Sequence, residues 1–568
     1  MVNAQEIVRT YGRGLALRRQ WEREWRDLSA LILPRKSNIL LGSIPGRMQT
    51  FRLMDSTAIK ANEDLASAMQ GSLTSSAIRW FSLKMREKEL NDQKEVAVWL
   101  EEVADRLHLA LQQANFAAEM HEGYLDLGAF GICAILVEEM PIERAGFNGF
   151  LFRAYTIGEY VIEENSLGRV DTLYRKMNLS ARAAAEKFGM ANLSQRARES
   201  AEKKPDEMYS FLHAVFPRTH FAEGLVESKR KRWASIYIEL GRQSPGSEAS
   251  SSNQHVVEEG GYDQFPYLVP RWTKVSDDIY GRGVGHTALP DVKSLNRAQE
   301  LTFKQWAKAI DPAVEVLDGA VDGTVNLTPA ATNYVQTSGA IKPIESGAKF
   351  DVNQVESEKL RMRVRGMFFA DQLNLPPMQG TPASATEIRV RFELMERLLG
   401  PTLGRLESEL LNPLIDRCFQ LMLRAGALPP VPSAVLEATQ KGTGQVDVEY
   451  EGPLARSQKT SDLDAIQRTV AVVAPIVEVF PDIMDNFDSD KLARHVASVT
   501  GLPASLLRDV KEVVALRGAR AQEAEERAQM EQAEAAAKIT QASSAGAKNL
   551  AQAGAQGGGQ AGAAAPSV

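Results

Sequence analysis

Three glycines at alternate positions, Gly281, Gly283 and Gly285 in "DDIYGRGVGHTALPDVKSLNRAQE", stand just before a helical pattern. Such a loop can cradle phosphate, because bare backbone amides and the positive end of the helix dipole both favour an anion there. A frame starting at Gly281 meets His286 where the dinucleotide fingerprint needs glycine, whereas a frame starting at Gly283 ends at Ala288, an allowed variant. However, the preceding "KVSDDIY" is too polar for a buried parallel strand, and Pro290 falls where a phosphate-binding helix should already be under way. No G-x-x-x-x-G-K-[ST] occurs. The glycines are therefore expected to serve backbone geometry rather than a nucleotide.

Other reactive sets are equally poor. Of seven histidines the closest pair, His213 and His220, is seven apart, and "MHEGY" lacks the second histidine of a zinc-binding H-E-x-x-H. Asp482, Asp485, Asp488 and Asp490 lack the alternation and central glycine of a calcium loop and read as a solvated turn. No Ser, His and Asp constellation stands out, so no catalytic residue, cofactor or metal is expected. The sharper pattern is basic: Lys293, Arg297, Lys304 and Lys308, at offsets of four, eleven and fifteen, fall within about 60° of one another on a helix. Two readings stay open. The stripe is a solvated face or pairs with Glu356 or Glu358 of the partner subunit, or it makes weak, sequence-independent contacts with a phosphate backbone.

The elements that must carry these residues follow from periodicity. A helix is expected from Gln5 to Leu33, with Trp21, Trp25, Leu28 and Leu31 or Ile32 on one face and a stop at Pro34. A second runs from Asp55, as N-cap, toward Gly71, and "IRWFSLKM" alternates like a strand. Residues 93–116 read as helix and "GAFGICAILVE" as a strand whose glycines mark close backbone approach. Between 150 and 275, "EYVIEEN", "RVDTLYRKM", "ASIYIEL" and "YLVPRWTKV" are candidate strands around a helical patch at 180–188. A helix from Pro290 to Ile310 ends before Asp311-Pro312, short β pieces occupy 313–344, and a helix from Val352 to Asp371 offers Val355, Leu360 or Met362, and Met367 for packing. After "QLNLPPMQGTPASATE", a loop closed by the capping-box spacing of Ser384 and Glu387, a long helix bent at Pro401 and Pro413 runs to a C-cap at Gly426.

Composition bounds the class. The 568 residues are 44% hydrophobic and 24% charged, as in ordinary globular chains, and the net charge of -7 is a poor footprint for tight wrapping of nucleic acid. Cys133 and Cys418 are far apart, each in an apolar run, and are expected to be buried and unpaired. No signal peptide and no ~20-residue apolar span is read, so membrane insertion is not expected. Beyond Ala519 the Ala, Gln and Gly composition predicts a solvated helix dissolving into disorder.

Four stretches together resemble the portal, or head-to-tail connector, proteins of short-tailed bacteriophages (the podovirus type): "DSTAIKANEDLAS" with "RWFSL"; "YGRGVGHTALPDVKSLN" with "AIDPAVEV"; "ATEIRVRFELMERLLGPTLGRLESELLNPLIDRCF" with "LPPVP"; and "VEYEGPLARSQK". The resemblance implies a helix-rich α+β portal fold. Its parts would be an α/β wing (1–286), a first stem helix (287–311), a β-containing clip (312–349), a second stem helix (350–371), a channel loop (372–385), a spine helix with wing return (386–452), a helical crown (453–518) and an Ala-rich tail (519–568). It also implies a ring of about twelve copies at the capsid vertex, passing double-stranded DNA during packaging and ejection. The partners would be the terminase packaging motor, tail or adaptor proteins, and capsid and scaffolding proteins. Gly281, Gly283 and Gly285 would form the wing-to-stem turn. Lys293, Arg297, Lys304 and Lys308 on the stem, with Met378 and Gln379 at the loop tip, would face DNA. The runner-up is another oligomeric structural head or internal virion protein without a DNA channel.

Overall fold

In the computed structural model the described residues are 4–36, 53–76, 79–91, 93–141, 146–218, 231–242, 254–344, 350–370, 399–441, 445–450, 463, 465–473, 475, 486–500, 502, 506–508 and 510–556. They divide into two compact units. The larger comprises Met1–Lys84, Leu100–Val431 and Val446–Ala474, and the other Met85–Trp99, Pro432–Gln445 and Pro475–Val568.

The larger unit is built on an antiparallel meander of β4 (Tyr160–Glu164), β5 (Val170–Ser180), β6 (Met208–Pro217), β7 (Trp233–Arg242) and β8 (His255–Tyr262), which lie side by side in sequence order. One face is covered by α1 (Ala4–Leu31), whose Ile7 and Tyr11 pack on Val161, Leu212, Ala214 and Ile236. The other face is covered by α6 (Ala181–Phe188) and α7 (Gln195–Lys203), where Phe188, Leu193 and Ala197 pack on Met177, Phe211 and Val257. Being covered on both sides, β6 is buried at every position from Tyr209 to Val215, and its apolar run "FLHAVF" shows no period of two. That is why alternation does not single it out. Of "YLVPRWTKV" only Tyr267 and Leu268 form a strand, β9, since Pro266 and Pro270 flank it and break the ladder.

A layer of α2 (Thr57–Leu73) and α5 (Phe116–Phe130) lies beside a three-stranded sheet, β3-β2-β9, in which β2 (Ala134–Glu139) pairs with β3 (Phe150–Tyr155) from Ala134 opposite Tyr155 to Glu139 opposite Phe150. The expected strand at Gly128–Glu138 is corrected here, because residues 128–130 are the last turn of α5. The helix ends at Gly131, left-handed at φ 75°, and the strand follows. The expected helix at 93–116 is α4 (Lys94–Gln113), and β1 (Phe81–Met85) buries Phe81, Leu83 and Met85 in the alternation expected of it. Asp55 is not the N-cap of α2; Ser56 is, and Asp55 accepts from the Thr57 amide at 2.9 Å while holding Arg361 at 3.0 Å.

Helix α8 (Val284–Ile310) begins six residues before Pro290. It runs out to a two-stranded ladder, β10 (Val314–Val316) with β11 (Ile341–Pro343), and α9 (Phe350–Met367) returns antiparallel, with Arg363 3.7 Å from Asp291. Of the packing residues expected on α9, Val355 and Met362 are exposed; Val364 and Phe368 are buried instead. From residue 399 the chain is helical again, and Leu399, Leu406, Leu410, Leu414 and Cys418 are buried as their spacing requires. A π turn at Glu407–Leu411 interrupts it just ahead of α10 (Asn412–Arg424), and Gly426 is left-handed beyond its end. The start of this helix and the 372–385 loop lie outside the described residues.

In the other unit, α11 (Ser433–Gln440), α12 (Ser489–Thr500) and α13 (Val510–Gln556) are the described helices of eight residues or more. Arg517 of α13 grips Asp490 of α12 at 2.6 Å, and Asp488 caps α12 by accepting from the amides of Asp490 and Lys491. These aspartates are helix-end groups. Asp482 and Asp485 lie outside the described residues.

Candidate functional site

The glycine turn is a seam between two main chains. A β-carbon on Gly281 would lie 2.3 Å from the Gly131 carbonyl oxygen. One on Gly283 would lie 2.6–2.8 Å from the Gly131 nitrogen and the Leu127 and Gly128 oxygens, and one on Gly285 2.3 Å from the Ala129 oxygen. None of the three has positive φ; Gly283 is extended at φ −96°, ψ 179°. None of the three therefore needs a backbone conformation closed to other residues. They are glycine because the end of α5 leaves no room for a side chain. The same packing removes the phosphate site, although not for the reason Pro290 offered. Gly283 does cap α8, as a phosphate-binding turn would, but backbone fills the place of the anion and the preceding contact, Thr273 with Arg282, is an antiparallel bridge.

Side chains brace the seam. His286 Nδ1 accepts from the Gly283 amide at 3.1 Å, and its ring meets Trp21 edge-on at 6.4 Å. Trp21 stacks on Trp25, Tyr280 stands edge-on to Trp25 at 5.1 Å, and the Arg282 guanidinium lies 4.5 Å over Trp21. Burial, with the Arg282 charge second, pushes the His286 imidazole down to about 4, so it is neutral at ordinary pH and able to accept. Behind the seam Arg271 is fully buried. It donates to Glu409 on the π turn at 2.7 Å, to the carbonyls of Gly168 and Ile279 at 2.9 and 3.2 Å, and to Glu164. Lys274 pairs with the other Glu164 oxygen at 2.6 Å, so two cations meet two carboxylates.

The basic stripe of α8 is exposed along its length but largely compensated within the chain. Lys293 pairs with Asp27 of α1, while Arg297 and Lys304 share Glu300, each at 2.6 Å. Among the described residues Lys308 enters no ion pair. Glu356 and Glu358 are held by Lys359 and Arg361 of their own helix. Helix α8 buries nothing beyond Leu295, and its outer half exposes Leu301, Phe303, Trp306 and Ile310, with Phe303 edge-on to Trp306 at 5.5 Å. Met378 and Gln379 lie outside the described residues.

Other singled-out groups are structural. His213 is buried, stacked on Tyr237 at 4.1 Å, with its nitrogens on the Tyr267 and Ser235 hydroxyls at 3.0 and 2.9 Å; burial drives its pKa well down. His220 lies outside the described residues. Cys133 and Cys418 are buried free thiols. Among the described residues no three His, Cys, Asp or Glu side chains could hold a metal together, and no helix is long and apolar enough to cross a membrane.

Two long helices joined by a small ladder are rooted in a mixed sheet domain and carry apolar residues that no part of the described chain covers. The family model described as "Bacteriophage head to tail connecting protein" matches residues 4–507. The chain belongs to this family. It is 28% identical over 530 residues to the "Probable portal protein" of Bordetella phage BPP-1, covering 91% of this chain and 90% of that one. It is 27% identical over 548 residues to the "Portal protein" of Salmonella phage epsilon15, covering 94% and 93%. To the "Portal protein" of Escherichia phage T7 it is 24% identical over 377 residues, covering 64% and 62%. In this connecting-protein chain the seam, α8 and α9 all fall inside the matched span, and α13 falls beyond it. Sequence reading missed Arg271 and Glu409, since a single arginine in a loop and a glutamate 138 positions later carry no shared pattern. Aromatic density around Trp21, Trp25 and Tyr280 was the available signal for the bracing cluster.

Proposed function

We propose that this chain is the subunit of a closed portal ring of about twelve copies at the capsid vertex, through which double-stranded DNA enters during packaging and leaves during ejection. The observation that carries this reading is the connecting-protein match over residues 4–507, with portal relatives aligned over nearly their whole length. The exposed apolar half of α8 supports it, because a closed symmetric assembly covers faces that one copy leaves in water. In this reading 1–286 is the wing, 287–311 and 350–371 form the stem, 312–349 the clip, 372–385 a channel loop, 386–452 the spine, 453–518 the crown and 519–568 the tail. The packaging motor, tail or adaptor proteins, capsid and scaffold are the partners. The role is structural, with hydrolysis of nucleotide left to a separate motor.

Within the ring, Lys308 and the half-compensated Lys304 and Arg297 offer a thin positive lining, and weak contacts suit a duplex that must slide. Met378 and Gln379 at the loop tip would touch it without charge. Electron microscopy of the purified protein tests the assembly: closed rings with a central channel are expected, and a stable monomer under assembly conditions overturns the proposal. Reversing Lys304 and Lys308 to Glu tests the lining. The ring should form while retention or passage of DNA falls, whereas loss of the ring would make those lysines subunit contacts.

A further inference from the structure

The α8–α9 hairpin is tied to the helical layer by a short strap, residues 53–56, just ahead of α2. The Met54 amide donates to Asn296 Oδ1 of α8 at 2.6 Å. Nε and Nη2 of Arg361 on α9 both reach Asp55 Oδ2 at 3.0 Å. The other Asp55 oxygen accepts from the Thr57 amide at 2.9 Å, which roots the strap in the first turn of α2. One segment thus holds three helices. Along α8 this tie lies about 20 Å from the glycine seam, the rise between Gly283 and Asn296.

Both ends of the Asp55–Arg361 pair keep a partner when it opens. Nη1 of Arg361 holds Glu358 of its own helix at 3.2 Å, a contact in which the strap takes no part. Asp55 retains the Thr57 amide, at the N-terminal end of α2 where the helix dipole favours a carboxylate. The Arg361 side chain is 28% exposed, so water reaches the guanidinium as soon as the two part. Opening therefore strands no buried charge, and a pair of this exposure shifts an equilibrium by about fivefold or less. The Arg271 cluster at the root is the opposite case: its guanidinium is fully buried and its carboxylates come from β4 and the π turn, so no neighbour on its own segment replaces them.

A rigid root with a weak outer tie is an element with two positions. We propose that residues 53–56 are a reversible latch. With Asp55 on Arg361 the hairpin is held to α2, and with Arg361 left to Glu358 alone the hairpin tilts about the glycine seam. The latch is a property of one copy and does not depend on the formation of a ring.

The test places spin labels at L167C, in the turn between β4 and β5, and at L327C, between β10 and β11, both exposed positions, in full-length protein diluted with unlabelled copies so that distances within one copy are read. Cys133 and Cys418 are buried and stay out of reach of the label. Pulsed EPR should give a narrow distance distribution for the wild type at 50 mM salt and a broadened or displaced one for D55N, which keeps an acceptor for Thr57 and loses the charge. Raising the salt to 1 M should carry the wild type toward the D55N distribution, because the partly exposed pair is screened, while D55N itself does not respond. E358Q, which leaves the strap intact, should stay narrow. The proposal is overturned if D55N keeps the wild-type distribution, if the wild type ignores salt, or if E358Q broadens as D55N does. It is equally overturned if D55N lowers the midpoint of chemical unfolding as far as a core truncation such as L295A, which would make the pair a fixed bond of the fold. Absence of rings in the wild type would undo the portal reading alone, since the distances belong to one copy.

Discussion

The turn into α8 depends on residues defined by what they lack. With the Gly285 β-carbon position 2.3 Å from the Ala129 carbonyl oxygen, Gly285→Ala cannot be absorbed by a side-chain rotation, because the obstacle is main chain. Overpacking of this kind costs about 1–3 kcal/mol or more, and we expect G285A to lower the midpoint of chemical unfolding accordingly, whereas G12A, facing open space, should not destabilise. His286 adds a pH dependence. Its folded pKa of about 4 lies below the ordinary value of 6.5, so below pH 6.5 the unfolded chain takes up a proton that the folded chain refuses. The stabilisation is complete above pH 6.5 and falls as pH drops through 4, by up to about 3 kcal/mol in all. H286Q should flatten the stability profile between pH 6.5 and 4 in denaturant titrations. The glycines themselves were legible as turn residues, but their reason was not. Sequence shows that a side chain is missing without showing the α5 carbonyls that forbid one.

At the scale of elements, helices with one wet face were legible, and those with two covered faces were not. Trp25 and Leu28 of α1, and Ile32 just past its end, are buried as their spacing requires, whereas β6 and the α5–β2 junction were blurred because full burial erases periodicity. The helix through Leu399 to Cys418 read as one continuous α pattern, yet it holds a π turn. The apolar steps from Leu406 to Leu410, Leu414 and Cys418 do not mark that turn, and within it Glu409 accepts from the buried Arg271 guanidinium. Glu409→Ala leaves that charge short of a partner, and a loss of about 3–5 kcal/mol is expected in equilibrium unfolding. Replacing Arg405, whose nitrogen lies 3.8 Å from Glu409 at the edge of the cluster, should cost under about 1 kcal/mol.

For the whole molecule, the exposed outer half of α8 separates folding from assembly. Phe303 and Trp306 contribute nothing to the buried core of one copy, so F303D/W306D should unfold at the wild-type midpoint while sedimentation shows free subunits in place of rings. A ring that survives both charges would move the subunit contact elsewhere. The family was legible because its marks are spread over most of the chain, while the lining of a channel was less so, since charge pattern alone does not reveal that Asp27 and Glu300 already answer much of the α8 stripe. The seam at residues 281–285 has a mechanical consequence as well. Helix α8 is clamped where it meets α5 by contacts between rigid main chains, and past Leu295 it projects about 22 Å with its return partner α9. Such a pair behaves as a cantilever with a stiff root: a tilt of about 10° where it is clamped carries the far end through about 4 Å, so small adjustments in the sheet domain are levered into motions as large as an atom's diameter at the β10–β11 tip.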